Sequence, residues 1–363
     1  MTRPSALFDT IVLAGVGLIG GSVGLGIHQR FLAKRVVGFD RDPAALDAAR
    51  GMGVIDEAHF APGPWLEEAD LVVLATPVRS LTQLGLELAP YLRADCIVTD
   101  VGSVKREIVT GLERIRFVGG HPMAGSEGVG VQNADAALLE NAVWVLTPTD
   151  DTDPEALEQV EDFVKHLGAR PLRIDPDQHD RLVASVSHVP YLVAVALTEF
   201  VAQDEDRELM MLLAAGGFRD LTRVASGNPQ MSRDMVVGNR EAIRQALRGF
   251  VAQLELLAGQ LDEPDRLLER AESVKRTRDG IPVVRRSLLP ARFEVVLAVP
   301  DRPGELARIT QAVGAAGVNI RDIEVLSIRE AGGALRLAFD NEEGLRLGSE
   351  ALRAAGYEVR SER

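Results

Sequence analysis

The chain reads as an α/β protein in three parts: an N-terminal doubly wound sheet, an all-helical second region, and a small C-terminal module of order βαββαβ. Three observations predict this. Between residues 10 and 174 short β-branched runs alternate with amphipathic stretches. From about 175 to 275 the strand signals vanish, and apolar residues recur at the three- and four-residue spacing of a helix face. Beyond residue 292, strand and helix signals alternate again up to the end of the sequence.

In the first part, strands are predicted at 11–13, 36–39, 71–74, 96–99, 143–146 and 171–174. The helical part opens at Asp175, Pro176 and Gln178, which read as an N-cap, a first-turn proline and the far partner of a capping box. Pro190 lies inside the apolar run that follows, so a kink or break is expected near it. Residues 275–292 hold five arginines and two prolines without either period and read as a linker. The last part offers a strand (293–299), a helix opened by Pro303 and Gly304, and two strands (318–328 and 334–339) turning at Gly332 and Gly333. A helix from Glu343 and a strand near Tyr357 complete a ferredoxin-like order. The domain bounds expected from this reading are 6–174, 175–285 and 293–363.

Composition narrows the function. With 46% hydrophobic and 26% charged residues the chain is that of a globular protein, and its 363 residues exceed what one core organises. A net charge of −14 disfavours nucleic acid or an anionic membrane as partner. The single cysteine, Cys96, excludes an internal disulfide and fits a reducing compartment. The scattered histidines show no close ligand pair, so no metal site is expected. The apolar run 11–27 holds six glycines and is too short to span a bilayer, which fits a strand, turn and helix better than a leader or membrane segment. A cytoplasmic location is the default expectation.

The strongest motif follows the first strand. Gly15, Gly17 and Gly20 form G-x-G-x-x-G at the head of an apolar helix, the context of a Rossmann-type dinucleotide site. Gly15 permits the tight turn, Gly17 the approach of a pyrophosphate, and Gly20 the close packing of helix on strand. The N–H groups of the first turn, at Leu18 and Ile19, face the phosphates. Twenty residues on, Asp40 ends the second strand and is placed to accept from both adenosine ribose hydroxyls. This favours NAD over NADP, although Arg41 beside it can accommodate a 2′-phosphate. A glycine turn without ligand is the alternative. Thr76 and Pro77 follow the strand at 71–74, and Ser103 follows the one at 96–99, so all three lie at the carboxyl ends where ligands gather.

His121, in the glycine-rich stretch 119–127, is read as a loop histidine at the mouth of that site and a candidate proton acceptor, because imidazole titrates near neutral pH. The residues alone equally allow a turn histidine bonded to backbone. By helical arithmetic, Asp177 lies 11 positions before His188 and about 20° from it in projection, so the two can face one site. His179, nine positions before His188, falls about 180° away and is expected outside that site.

Two motifs taken together, Thr99-Asp-Val-Gly-Ser-Val-Lys and Gly120-His-Pro-Met-Ala-Gly, resemble the prephenate dehydrogenase family of tyrosine biosynthesis. Ser187-His188-Val-Pro and Gly217-Phe-Arg-Asp-Leu-Thr-Arg-Val-Ala-Ser resemble its two substrate-domain motifs. The resemblance implies NAD-dependent oxidative decarboxylation of prephenate to 4-hydroxyphenylpyruvate. It implies that His121 accepts a hydrogen bond from the ring hydroxyl and that Ser103 assists there. Arg223 and His188 are implied as carboxylate-binding groups and Glu127 as an acidic residue ordering the entrance, while Asp177 is assigned to the substrate site by its helical projection onto the His188 face. Where relatives often carry a tryptophan after the Asn-Pro that follows the arginine motif, this chain has Met231 and Ser232.

The terminal module, with Asp301-Arg-Pro-Gly-Glu-Leu and Val318-Asn-Ile, resembles an ACT regulatory domain. Such domains bind amino acids, which here implies Asp301, Pro303, Gly304, Asn319 and Ile320 as effector contacts and tyrosine as the effector. A homodimer through the helical region is implied as well. Two other readings remain: an arogenate dehydrogenase, and a non-catalytic sensor of NAD and an amino acid.

Overall fold

The computed structural model describes residues 6–125, 128–281, 293–300, 302–329 and 332–360. The chain divides into two compact units, Met1–Val284 and Arg285–Arg363.

The first unit begins with β1 (Phe8–Ala14), α1 (Leu18–Arg30), β2 (Ala33–Phe39), α2 (Pro43–Gly51), β3 (Glu57–His59), β4 (Leu71–Leu74) and α3 (Val78–Leu88). It continues with β5 (Ile97–Asp100), α4 (Arg106–Gly111), β6 (Phe117–Pro122), β7 (Val143–Thr147), α5 (Pro154–His166) and β8 (Arg170–Arg173). These eight strands form one sheet in the order β3-β2-β1-β4-β5-β6-β7-β8. Side chains of α1, α2 and α5 pack on one face, among them Val23, Leu46 and Phe163, and those of α3 and α4 on the other, among them Leu81, Leu84 and Ile108.

The sheet departs from the sequence reading in two ways. It gains β3 and β6, which are short or glycine-containing and lack a β-branched run. It is also not parallel throughout: β7 runs antiparallel to β6, and β8 follows β7 in parallel. Among its described residues the connection from β6 to β7 contains only 3-10 turns, whereas α5 provides the crossover that a parallel β7–β8 pair requires.

The helical region follows as α6 (Pro176–Val183), a π segment (Ala184–His188), α7 (Val189–Ala202), α8 (Arg207–Leu213), α9 (Gly216–Thr222), α10 (Pro229–Gly238), α11 (Arg240–Ala258) and α12 (Pro264–Asp279). Asp175 caps α6 as the sequence predicts, its carboxylate accepting from the amides of Asp177 and Gln178. The expected break comes as the π segment, before Pro190, because proline lacks the N–H that would bond back into the preceding turn. Sheet and helices meet at Asp180, whose two oxygens accept from the amides of Lys105 (2.8 Å) and Arg106 (3.0 Å). An α6 side chain thus satisfies donors that would be orphaned at the start of α4.

The second unit comprises β9 (Glu294–Val299), α13 (Glu305–Ala315), β10 (Ile320–Arg329), β11 (Gly332–Phe339), α14 (Glu342–Ala354) and β12 (Val359–Arg360). Its antiparallel sheet has the order β10-β11-β9-β12, the ferredoxin-like arrangement that the sequence predicts. Gly332 and Gly333 already pair in β11 opposite Arg329 and Ile328, so they are strand residues and not the turn. Val295, Ile309, Leu337 and Leu352 form a separate core.

Candidate active site

At the head of α1 the three glycines answer three different constraints. Gly15 has φ of +106°, and a Cβ there would lie 2.6 Å from the Ala75 carbonyl. A Cβ on Gly20 would lie 2.0 Å from the Gly15 oxygen, so the helix can start against the turn only without one. A Cβ on Gly17 would meet nothing within 4 Å. Its openness leaves the approach to the helix N-terminus clear, and α1 has no side-chain cap to occupy its first N–H groups. Leu18 and Ile19 open that helix.

A cavity of about 320 Å³ adjoins this turn and is lined by Gly15, Gly17, Asp40, Thr76 and Pro77 among others. Asp40 follows β2, and its carboxylate accepts from the amides of Val16 (3.2 Å) and Asp42 (3.0 Å). Arg41 reaches across the same cavity to Glu87 of α3 at 3.1 Å. The glycine cradle, the uncapped helix and the acidic side chain after β2 together suit a dinucleotide with an unsubstituted ribose.

Beyond β5 and β6 lies a second group of side chains. His121 stands on β6, opposite Val145 of β7, and not in a loop. The two residues before it are strand residues too, and they are glycine because a Cβ on Gly120 would approach the Asp100 carbonyl to 2.5 Å, and one on Gly119 the Thr147 hydroxyl to 2.3 Å. Beneath the strand Lys105 and Asp100 form a fully buried ion pair. The Lys105 ammonium also donates to the Gly120 carbonyl at 2.7 Å, and Asp100 accepts from the amides of Gly120 (2.9 Å) and Gly102 (2.8 Å). Burial pushes the Lys105 ammonium down while Asp100 pulls it back up. Ser103 sits half-buried in the loop that carries Lys105, between β5 and α4.

Nδ1 of His121 lies 2.8 Å from Nε2 of His179, with the rings edge to face. His179 is wholly buried, and its Nδ1 lies 2.8 Å from Asp180. Although His121 as a residue is only partly buried, desolvation of its ring is the largest cause holding it well below the usual imidazole range. The neighbouring His179, Lys105 and His188 act in the same direction. His188, 1% exposed, is pushed down to about 4 chiefly by burial, and its Nδ1 faces the Asn239 side-chain amide at 3.3 Å. Asn239 also donates to the Asp180 carbonyl at 2.7 Å.

The helical arithmetic therefore fails at two residues. His179, expected on the far face, touches His121. Asp177, expected beside His188, is exposed and pairs with Arg106 at 3.1 Å along a different cavity. The π segment between them takes up an extra residue, which shifts the phase of the helix by about 100°. Arg223 is exposed at the start of a 3-10 turn (Arg223–Ser226). Ser232, on α10, bonds the Asn228 carbonyl. Glu127 lies outside the described residues.

Reasoning from sequence missed Asp100, Lys105, Asp180 and Asn239, and set His179 on the wrong face. Asp100 and Lys105 stood inside a motif already in view, with a period of five that no regular element explains. In the second unit a cavity of about 170 Å³ adjoins Gly304, whose φ is +85°, together with Arg302, Glu305 and Val325. Asn319 instead reaches Asp340 at 3.3 Å and Ile320 pairs with Phe339, while Pro303 precedes Gly304 on the exposed surface. Asp301 lies outside the described residues.

Comparison with known proteins agrees with this layout. Residues 23–172 match the family model of the prephenate dehydrogenase nucleotide-binding domain, 175–270 that of the prephenate dehydrogenase dimerization domain, and 293–356 the ACT domain. The first match begins past the glycine turn, so the turn is identified by its own geometry. Prephenate dehydrogenase of Bacillus subtilis is 35% identical over 362 residues, 97% of this chain and 98% of that protein. Cyclohexadienyl dehydrogenase of Zymomonas mobilis is 30% identical, covering 75% of this chain and 96% of its own length. Among solved structures, prephenate dehydrogenase from A. aeolicus in complex with hydroxyphenyl propionate and NAD+ superposes with a TM-score of 0.72 at 33% identity, over 76% of this chain and 98% of that one. Arogenate dehydrogenase of Synechocystis gives 0.66 at 33% identity, over 74% and 99%. The chain belongs to the prephenate dehydrogenase family: it is an NAD-dependent oxidoreductase with a Rossmann-type domain, a helical domain and a C-terminal ACT domain.

Proposed function

We propose that the enzyme carries out oxidative decarboxylation of prephenate, with His121 as the group that receives the hydrogen bond of the ring hydroxyl. The observation that carries this reading is the position of His121. It stands at the carboxyl end of β6, next to the carboxyl end of β5, with Nδ1 engaged by His179 so that Nε2 is the atom left for a substrate. NAD, when bound over the Gly15–Gly20 turn, supplies the hydride acceptor. Prephenate loses a hydride from its carbinol carbon and carbon dioxide from the opposite ring carbon. The electron pair of the broken carbon–carbon bond enters the ring, and no net proton is released. The protein therefore has to hold the hydroxyl and the two carboxylates in place and keep the ring hydroxyl polarised.

Ser103 stands in the loop after β5 as a second contact for the hydroxyl. His188, neutral and with Nδ1 turned to Asn239, is suited to donate from Nε2 to a carboxylate. Arg223 suits a carboxylate through its planar fork. An absorbance assay for NADH with prephenate and arogenate in parallel, each with NAD and NADP, tests the reading. Turnover of prephenate with NAD supports it, and a strong preference for arogenate would replace the substrate.

The helical domain is proposed to pair with a second copy. Pro176–Ala202 is long and apolar enough to cross a bilayer, but it carries the buried His179, Asp180 and His188. Phe200, Leu209, Leu212 and Leu213 continue an exposed apolar surface onto α8, as a subunit interface would. The ACT unit is proposed to bind an amino acid, with tyrosine the end product that feedback would use. Loss of tyrosine sensitivity on deleting residues beyond 290 supports this, and an unchanged response would end it. A cytoplasmic location fits the biosynthetic relatives.

A further inference from the structure

We propose that Asp180, acting through His179, sets the tautomer of His121, so that the proton of His121 resides on Nδ1 and Nε2 meets the substrate hydroxyl as a bare acceptor. This inference rests on the reading of His121 as the hydroxyl acceptor and adds to it the two residues that decide which nitrogen does the accepting.

The chain of bonds leaves one consistent arrangement of protons. Both oxygens of Asp180 face donors that cannot change role: the amide of Lys105 at Oδ1 (2.8 Å) and the amide of Arg106 at Oδ2 (3.0 Å). A carboxylate held this way can only accept from the third neighbour, so the proton between it and His179 belongs to His179 Nδ1. With one proton already on Nδ1, His179 presents a lone pair at Nε2. Nδ1 of His121, 2.8 Å away, must then be the donor, and its Nε2 carries none. The opposite tautomer would aim an N–H at the hydroxyl hydrogen and polarise it the wrong way.

Burial makes the assignment firm. His179 is 0% exposed and Asp180 5%, so the contact between them is shielded from bulk solvent. Among the described residues, the other charged or titratable groups around His121 are Lys105 and Asp100 beneath β6 and His188 from the π segment. The Lys105 ammonium grips the Gly120 carbonyl, immediately before His121, while its backbone amide grips Asp180. One residue thus anchors both ends of the relay. As the carbinol C–H bond breaks, the hydroxyl proton leans onto His121 Nε2. The positive charge that develops there faces His179 and, beyond it, Asp180, and the proton returns to the phenolic oxygen once the ring is aromatic. His179 and Asp180 are positioning residues in this scheme, since neither touches substrate.

Histidine-selective ¹⁵N NMR of the intact wild-type enzyme reads the tautomer directly. The expected result is a protonated Nδ1 and an unprotonated Nε2 for His121, and a protonated Nε2 would overturn the proposal whatever any variant does. Asp180→Asn places an amide against His179 and is expected to lower kcat at least about 100-fold while the KM for prephenate and the Kd for NAD move less than about threefold. His179→Gln keeps an oxygen to accept the His121 proton and should retain at least about tenfold more kcat than His179→Leu. Equal rates for the two would count against the relay. If His121→Asn is inactive but Asp180→Asn turns over normally, the tautomer control fails and the acceptor role survives. Full activity in His121→Asn would remove the acceptor role itself.

Discussion

Nε2 of His179 lies 2.8 Å from Nδ1 of His121, although 58 residues separate the two and they come from a helix and a strand of different domains. This contact turns His121 from a surface candidate into one end of a buried chain that runs to Asp180. Replacing His121 by Asn is expected to lower kcat by about 100-fold or more, within the range for loss of a positioned acceptor, while leaving NAD affinity within about twofold. Steady-state rates with prephenate and a fluorescence titration with NAD check both halves.

The same enclosure sets a pH dependence. His121 must be neutral to accept, and its folded pKa is depressed by burial and by neighbouring His179, Lys105 and His188. The kcat profile should therefore stay flat from pH 8 down to about 6.5, the ordinary imidazole value, and fall only below it. An acid limb centred at or above that value would contradict the assignment.

His188 adds a stability effect of definite sign. Its folded pKa of about 4 lies below the ordinary 6.5, so the unfolded state binds more protons between those values. The contribution is fully present above pH 6.5, is lost as pH falls through the window down to about 4, and amounts to at most about 3 kcal/mol. Urea unfolding at pH 7 and pH 4.5 should differ in that direction, and His188→Gln should flatten the difference.

Gly17 and Gly20 separate binding from folding. A methyl on Gly17 meets no protein atom within 4 Å, whereas one on Gly20 would lie 2.0 Å from the Gly15 oxygen. Gly17→Ala should keep its melting temperature and lose at least about tenfold in NAD affinity, because the methyl stands where the pyrophosphate approaches. Gly20→Ala should melt several degrees lower, as overpacking costs about 1–3 kcal/mol. Calorimetry on the two proteins distinguishes these outcomes.

Arg41 faces the adenosine end of the cavity but is held by Glu87. Glu87→Gln should release it and raise kcat/KM for NADP by about tenfold or more, a charge-assisted phosphate contact being worth about 1.5–3 kcal/mol. An NADP rate unchanged from wild type would show that Asp40 alone excludes the phosphate.

The sequence by itself determined the three-part architecture and the nucleotide turn. Period-2 and period-3.6 patterns are local, and Gly15 and Gly20 answer to atoms within a few residues or just past the adjoining strand, while Gly17 stands open to the ligand. It also carried His121, Ser103 and His188, but only through motifs and without their partners. Tertiary structure decided the rest. Gly119 and Gly120 read as loop because glycine signals turns, yet they pair in a strand, where glycine is required because Asp100 and Thr147 crowd their faces. His179 and Asp177 exchanged places because a π segment shifts the helix phase: Pro190 announces a break but not that it takes the form of an inserted residue. The Lys105–Asp100 pair and the Asp180 bridge close distances of 5 and 75 residues in a buried environment, where a charge is tolerated only if its partner arrives from elsewhere in the fold.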